Sequence, residues 1–280
     1  MKTRILTAVI ALPIIIASIV LPVWVPQSVW LFVAVAAFAM AAGLFEFFSL
    51  TKKLELKADA GVGYLWATCL FIGFVFDAPA KQPDLLFATI AAFLIPLLVS
   101  QMFRFRVDFS KMLVGVGVTL LGVMYVAFLG GFLVATRMGF EQRPNLSTHL
   151  LGYFILVVFA SDTGAYFTGR AMGKHKLAPS ISPGKTYEGL VGGLITAAVA
   201  AALATWWFFP ELPYQWSIPL AIVLAAIGVL GDLAESAMKR GAGAKDAASI
   251  LPGHGGFLDR LDSLLFGAPI LYYFARFYFG

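Results

Sequence analysis

The feature that most constrains this 280-residue chain is a near-unbroken series of apolar segments, each about as long as a bilayer's hydrocarbon core is thick. A helix needs about 20 mostly apolar residues to cross that core. Nine stretches qualify: about 5–25, 28–50, 60–76, 84–103, 112–135, 149–171, 187–209, 216–240 and 257–279. Hydrocarbon offers no partners to backbone N–H and C=O groups, so such segments satisfy themselves as helices. The sequence therefore predicts an all-α polytopic membrane protein, with about nine transmembrane helices in one bundle. Composition agrees: 12% of residues are charged, against about 25% in soluble domains. No linker or repeat divides the chain. Three regions are expected: N-terminal helices (1–103), a middle transmembrane region (104–150) and a catalytic region with long loops (151–280). The basic, then apolar start reads as a retained first helix rather than a cleaved signal.

Lys and Arg placement sets the orientation. With the N-terminus cytoplasmic, 16 basic residues fall inside and 4 outside, the latter being Lys81, Arg137, Arg143 and Arg276. That is a strong positive-inside bias. The net charge of +5 thus reports topology, and no nucleic-acid partner is read from it. The two inner connections at about 170–186 and 241–256 are long and rich in Gly and charge, so chemistry is expected there.

The single cysteine, Cys69, and three histidines leave carboxylates as the available metal ligands. Those favour a hard cation such as Mg²⁺. The eighth segment ends GDLAESAMKR, where Asp232, Glu235, Ser236, Lys239 and Arg240 share one helical face. The ninth opens GGFLDRLDSLL and repeats the spacing with Asp259, Asp262 and Ser263. Asp232 precedes Arg240 by eight residues, about 12 Å along a helix. An ionised Asp near a helix centre costs roughly 2.5–3.5 kcal/mol on insertion scales and needs a partner. A divalent cation shared by Asp232 and Asp259 would supply one. Pairing among the charges themselves, such as Glu235 with Lys239, is the simpler alternative.

In SDTGAYFTGRAMGKHKLAPSISPGKTYEG, Ser161 and Asp162 lie inside the sixth span and predict a polar break lining a cavity. Arg170, Lys174, Lys176 and Lys185 follow, interleaved with Gly173 and Gly184. Such a loop suits a polyphosphate, although positive-inside topology alone also places bases there. Thr186 is the expected N-cap of the seventh helix. No Walker A loop is present. Lys245, Asp246 and His254 sit among small residues of the last inner loop, a setting for substrate contacts. From these residues alone the chain reads as an enzyme of metal-assisted phosphate chemistry at the cytoplasmic edge of a bilayer.

The run Ser236-x-x-Lys239-Arg240, Lys245-Asp246, Pro252-x-His254-Gly255-Gly256-x-x-Asp259-Arg260-x-Asp262 resembles the signature of the phosphatidate cytidylyltransferases, the CDP-diacylglycerol synthases. SDTGAYFTGR followed by SPGKTYEG is similar to that family's second shared stretch. The likeness is strongest over about 155–270. Small residues at Gly241–Ala244 and Ala247–Ser249 depart from it, which bears on loop shape.

The resemblance implies transfer of CMP from CTP to phosphatidic acid, giving CDP-diacylglycerol and pyrophosphate for phospholipid synthesis. It implies Mg²⁺ at Asp232 and Asp259, leaves room for a second cation, and implies a homodimer in the inner (cytoplasmic) membrane with its site facing the cytoplasm. On that basis Asp262 orients the metal or a second ion. Lys174, Lys185 and Lys239 or Arg240 contact phosphate oxygens. Ser161 and Asp162 shape the nucleotide or metal side, and Lys245, His254 and Arg260 steady pyrophosphate or the lipid head group. Asp246 is grouped with the substrate contacts. Three rivals are a CTP-dependent lipid (polyprenol) kinase, a secondary transporter and a structural assembly protein, the last of which would leave the buried carboxylates without a purpose. The transporter would show an inverted repeat and access from both sides.

Overall fold

The computed structural model describes residues 2–105, 109–140, 143–243 and 256–280, with the side chains of 2–8 and 10 left aside. Each of the nine apolar segments is helical. They are α1 (Lys2–Val20), α2 (Val29–Lys53), α3 (Ala60–Ala80), α4 (Asp84–Arg104), a fifth rod made of α5 (Met112–Gly122) and α6 (Leu129–Met138), α7 (Leu146–Met172), α8 (Tyr187–Trp207), α9 (Tyr214–Gly241) and α10 (Leu258–Phe279). A π-helical turn over Val123–Phe128 joins α5 to α6. Seven rods are long and apolar enough to cross a bilayer. The chain is a polytopic helical membrane protein. The two rods outside that set are α1 and α10, and α10 carries Asp259, Arg260, Asp262 and Arg276.

The caps follow local chemistry. Asp59 accepts the Val62 N–H at the start of α3, 3.1 Å, and Thr186 accepts the Gly189 N–H at the start of α8, 3.1 Å. Each satisfies a donor the helix cannot. Lys52 and Lys53 close α2, and Lys239 and Arg240 close α9, where cations meet the negative helix end. Basic residues also bind exposed backbone carbonyls between rods. Arg104 donates to the Ala58 carbonyl, 2.7 Å, beside Lys57. Arg276 donates to the Lys81 carbonyl, 3.4 Å.

The sixth span differs from expectation. Ser161 and Asp162 do not interrupt it: α7 is one helix from Leu146 to Met172. Its glycines serve packing instead. A Cβ on Gly164 would collide with the Thr196 side chain of α8, and one on Gly192 with Thr168 of α7. Small residues facing small ones let two backbones approach in a membrane, where apolar burial drives little association. Thr196 then donates across the interface to the Ala160 carbonyl, 3.0 Å. The following connection is not simple loop either. Lys176–Ala178 (β1) pairs antiparallel with Ser182–Thr186 (β2) in a small hairpin.

Candidate active site

Close packing of α10 on α9 builds the site. A Cβ on Gly231 would stand 2.5 Å from the Asp262 carbonyl oxygen, and one on Gly228 3.3 Å from the Ser263 Cβ. With no side chains at these two positions, the first turns of α10 rest on the α9 backbone. Ser263 seals the contact by donating to the Gly228 carbonyl, 3.1 Å. Asp232, next to Gly231, is thereby set beside Asp262.

A residue from the N-terminal half fixes the start of α10. Glu46 of α2 is fully buried, and its Oε2 accepts the Leu258 N–H at 2.7 Å. Asp259 Oδ2 accepts the Gly256 N–H at 3.0 Å. Two carboxylates thus satisfy donors at the positive end of α10. A Cβ on Gly256 would stand 2.8 Å from Glu46 Oε2, so a side chain there would push the Glu46 carboxylate aside. Glu46 precedes Lys53 by seven residues, about 10 Å along the helix, close to the depth of Asp232.

Two lysines thread this acidic cluster. Lys239 lies between Glu235 Oε2, at 2.7 Å, and Asp259 Oδ1. Lys185, carried in by β2, reaches Asp232 Oδ2 at 2.6 Å. Ser236 donates to Asp232 Oδ1, 3.2 Å. Asp162 stands in the field of Asp232, Lys185 and Arg260, and Asp262 in that of Asp232, Asp162 and Lys185. Asp259 and Lys239 act in turn on Glu46. Six acidic side chains therefore share the cluster with three basic ones. A further cation bound here would offset that excess.

Beside the cluster opens a cavity of about 450 Å³ between α7, the hairpin, α8 and α9. Asp162, Lys185 and Asp232 give it a charged side, while Ala165, Leu177, Leu190 and Val229 give it an apolar one. Arg170 lines it too and donates to Tyr166 Oη, 2.9 Å. Arg240 donates to the Ile181 carbonyl, 3.3 Å, tying the hairpin to α9. The hairpin is thus what carries Lys185 to Asp232.

The structure gathers Asp162, Lys185, Asp232, Lys239, Asp259, Asp262 and Arg260 into one neighbourhood. Three other candidates stand apart. Lys174 is exposed, and its backbone N–H is held by Glu188 at 3.1 Å. Ser161 is buried where α7 meets α8, and a Cβ on Gly193 would be 3.1 Å from its Oγ. Arg240 is exposed and holds the hairpin. Lys245, Asp246 and His254 lie outside the described residues. Glu46 escaped the sequence reading, although a lone acid within FEFF of an apolar span is itself a signal.

Among the described residues no three carboxylates form a ready metal cage; Lys185 and Lys239 stand between them. That arrangement fits Mg²⁺, which takes one or two carboxylates and fills its octahedron with water and substrate phosphate. Oxygen-only ligands and the acidic excess suit a hard cation.

The fold and the site together define a membrane-embedded protein with a recessed cluster of acidic and basic side chains beside a cavity. Comparison with known proteins narrows the class. Residues 2–278 match the Cytidylyltransferase family, and the chain belongs to that family. It is 35% identical over 283 residues to the phosphatidate cytidylyltransferase of Bacillus subtilis (strain 168), covering 98% of this chain and 97% of that one. The phosphatidate cytidylyltransferase of Haemophilus influenzae is 44% identical over 153 residues, 53% of each chain. That of Staphylococcus haemolyticus is 45% identical over 150 residues, 53% of this chain and 56% of the relative.

Proposed function

We propose that the protein transfers CMP from CTP to phosphatidic acid, releasing CDP-diacylglycerol and pyrophosphate. The observation that carries this reading is the recessed cluster of Asp232, Asp259, Asp262, Lys185 and Lys239, in a chain whose relative over nearly its full length is a phosphatidate cytidylyltransferase. In the reaction an oxygen of the lipid phosphate bonds to the α-phosphorus of CTP. The bond from that phosphorus to the bridging oxygen breaks, and pyrophosphate leaves with the electron pair.

The lipid phosphate is already ionised near neutral pH, so no protein nucleophile is needed. The barrier is repulsion between two anions, and catalysis rests on positioning and charge neutralisation. Lys185 and Lys239 are held among carboxylates by short ion pairs and supply positive charge where phosphate oxygens enter. The pairs also keep both ammonium groups oriented before substrate arrives. Asp232 and Asp259 are the proposed Mg²⁺ ligands, with Asp162 and Asp262 close enough to Asp232 to complete or orient the site. When bound, Mg²⁺ screens both phosphates and polarises the α-phosphoryl oxygens. Glu46 and Gly256 hold the start of α10, and with it Asp259, in register. The apolar wall of the cavity suits a substrate that keeps its acyl chains in hydrocarbon.

The proposed setting is the bacterial inner membrane, with the N-terminus and the site on the cytoplasmic side. The basic bias of the inner loops and the availability of CTP there support it. A homodimer is proposed on the family resemblance. Family membership sets aside the transporter, and the lipid kinase differs in its products. Incubating purified protein with α-labelled CTP, phosphatidate and Mg²⁺ tests the reading. A labelled lipid formed together with pyrophosphate supports it, while released CDP and an unlabelled polyprenyl phosphate in a parallel reaction supplied with polyprenol would replace it with the kinase.

A further inference from the structure

The turn joining α5 to α6 is widened into a π-helix over Val123–Phe128. Such π-turns are rare and recur at functional sites. This one is buried and presents Tyr125, 6% exposed, toward the acidic cluster. The ring stands edge-on to Phe266 of α10, with centroids 6.1 Å apart, and tilts against Phe47 of α2 at 6.4 Å. These two aromatic contacts fix its direction. The hydroxyl is buried and has no hydrogen-bond partner among the described residues. Yet it stands within the field of Asp262, Glu235, Asp232 and Asp259, strongest first.

Four carboxylates act on this phenol, and among the described residues it makes no hydrogen bond to any of them. Burying a donor without a partner costs free energy, and so does the distorted turn that aims it. Both costs are explained by a partner that arrives with the reaction. Ionised carboxylates only accept hydrogen bonds, so on this flank the donors met by an incoming phosphate are the ammonium groups of Lys185 and Lys239. A neutral hydroxyl supplies a donor there without altering the charge balance set by Lys185 and Lys239. We propose that the Tyr125 hydroxyl is a further substrate-contacting group, donating to a phosphate oxygen that enters the acidic cluster. The assignment rests on the phosphate-transfer reading above. The phosphate comes from the lipid or from CTP, and the kinetics distinguish them.

Tyr125→Phe keeps the ring and its packing and deletes only the hydroxyl. The full-length variant and the wild type are compared in mixed micelles with Mg²⁺, varying CTP and phosphatidate separately. A lost hydrogen bond to a charged oxygen lowers kcat/KM by roughly 10- to 100-fold. The thermal unfolding midpoint stays unchanged or rises, because the deleted hydroxyl has no partner among the described residues. An increase in KM confined to phosphatidate assigns the lipid phosphate, and one confined to CTP assigns the nucleotide. A fall in kcat alone assigns an oxygen that gains charge in the transition state. Wild-type kinetics in Tyr125→Phe would overturn the proposal, as would activity lost together with a lowered unfolding midpoint. The wild-type control separates the two layers. An inactive wild type defeats the reaction itself, whereas an active one alongside an equally active variant defeats only the role of the hydroxyl.

Discussion

α4 and α9 are both long apolar rods, yet they are built for different surroundings. α4 buries only Leu97 and Gln101 and exposes Phe87, Ile95 and Phe103, as a helix facing lipid would. α9 exposes Val223 and Leu230 on one side, but on the other it carries Gly228, Gly231, Asp232 and Glu235 against α10. Hydropathy treats the two alike. What separates them is where the small and charged residues stand. Glycines admit a neighbouring backbone, and the carboxylates beside them then face protein or the cavity instead of lipid. The lesson is that the same close packing that joins the catalytic helices also makes their buried charge tolerable.

Substitutions in the two regions break or sharpen this contrast. Asp232→Asn should cost the most, lowering turnover about 1,000-fold or more, equivalent to ~4 kcal/mol of barrier, with membrane insertion intact. Turnover within tenfold of wild type would remove Asp232 from the chemistry. Glu46→Ala deletes the cap that α2 lends to α10. It should lower stability by about 1 kcal/mol, as lost caps do, and reduce activity through Asp259. A thermal-shift measurement with parallel kinetics checks both, and an unchanged melting temperature would deny the capping role. Ile95→Ala on the exposed face of α4 should change stability by less than about 0.5 kcal/mol and leave turnover alone. A clear loss of activity would mean that α4 is more than a lipid-facing rod.

Much of this was legible in the residues. Segment length and hydropathy located every rod, because the bilayer allows few alternatives to a helix. The 0, 3, 4 spacing of Asp232, Glu235 and Ser236, and of Asp259, Asp262 and Ser263, placed the carboxylates on facing helices. Other features were hidden for physical reasons. Ser161 and Asp162 suggested a break, but Ser and Asp remain compatible with a helix that packs through Gly164. The hairpin that delivers Lys185 has strands of three and five residues, too short to carry an alternating pattern. Glu46 and Tyr125 reach the site from distant segments, through contacts that no local spacing encodes.

The central claim is that recessed carboxylates hold a divalent cation between two phosphate-bearing substrates. Mn²⁺ binding followed by electron paramagnetic resonance, with CTP present, tests it directly on wild type and on the Asp232→Asn, Asp259→Asn double variant. Wild type should bind Mn²⁺ tightly, and the variant at least about 100-fold more weakly, a loss of ~2.7 kcal/mol. Equal affinity and equal stoichiometry in the two proteins would contradict it.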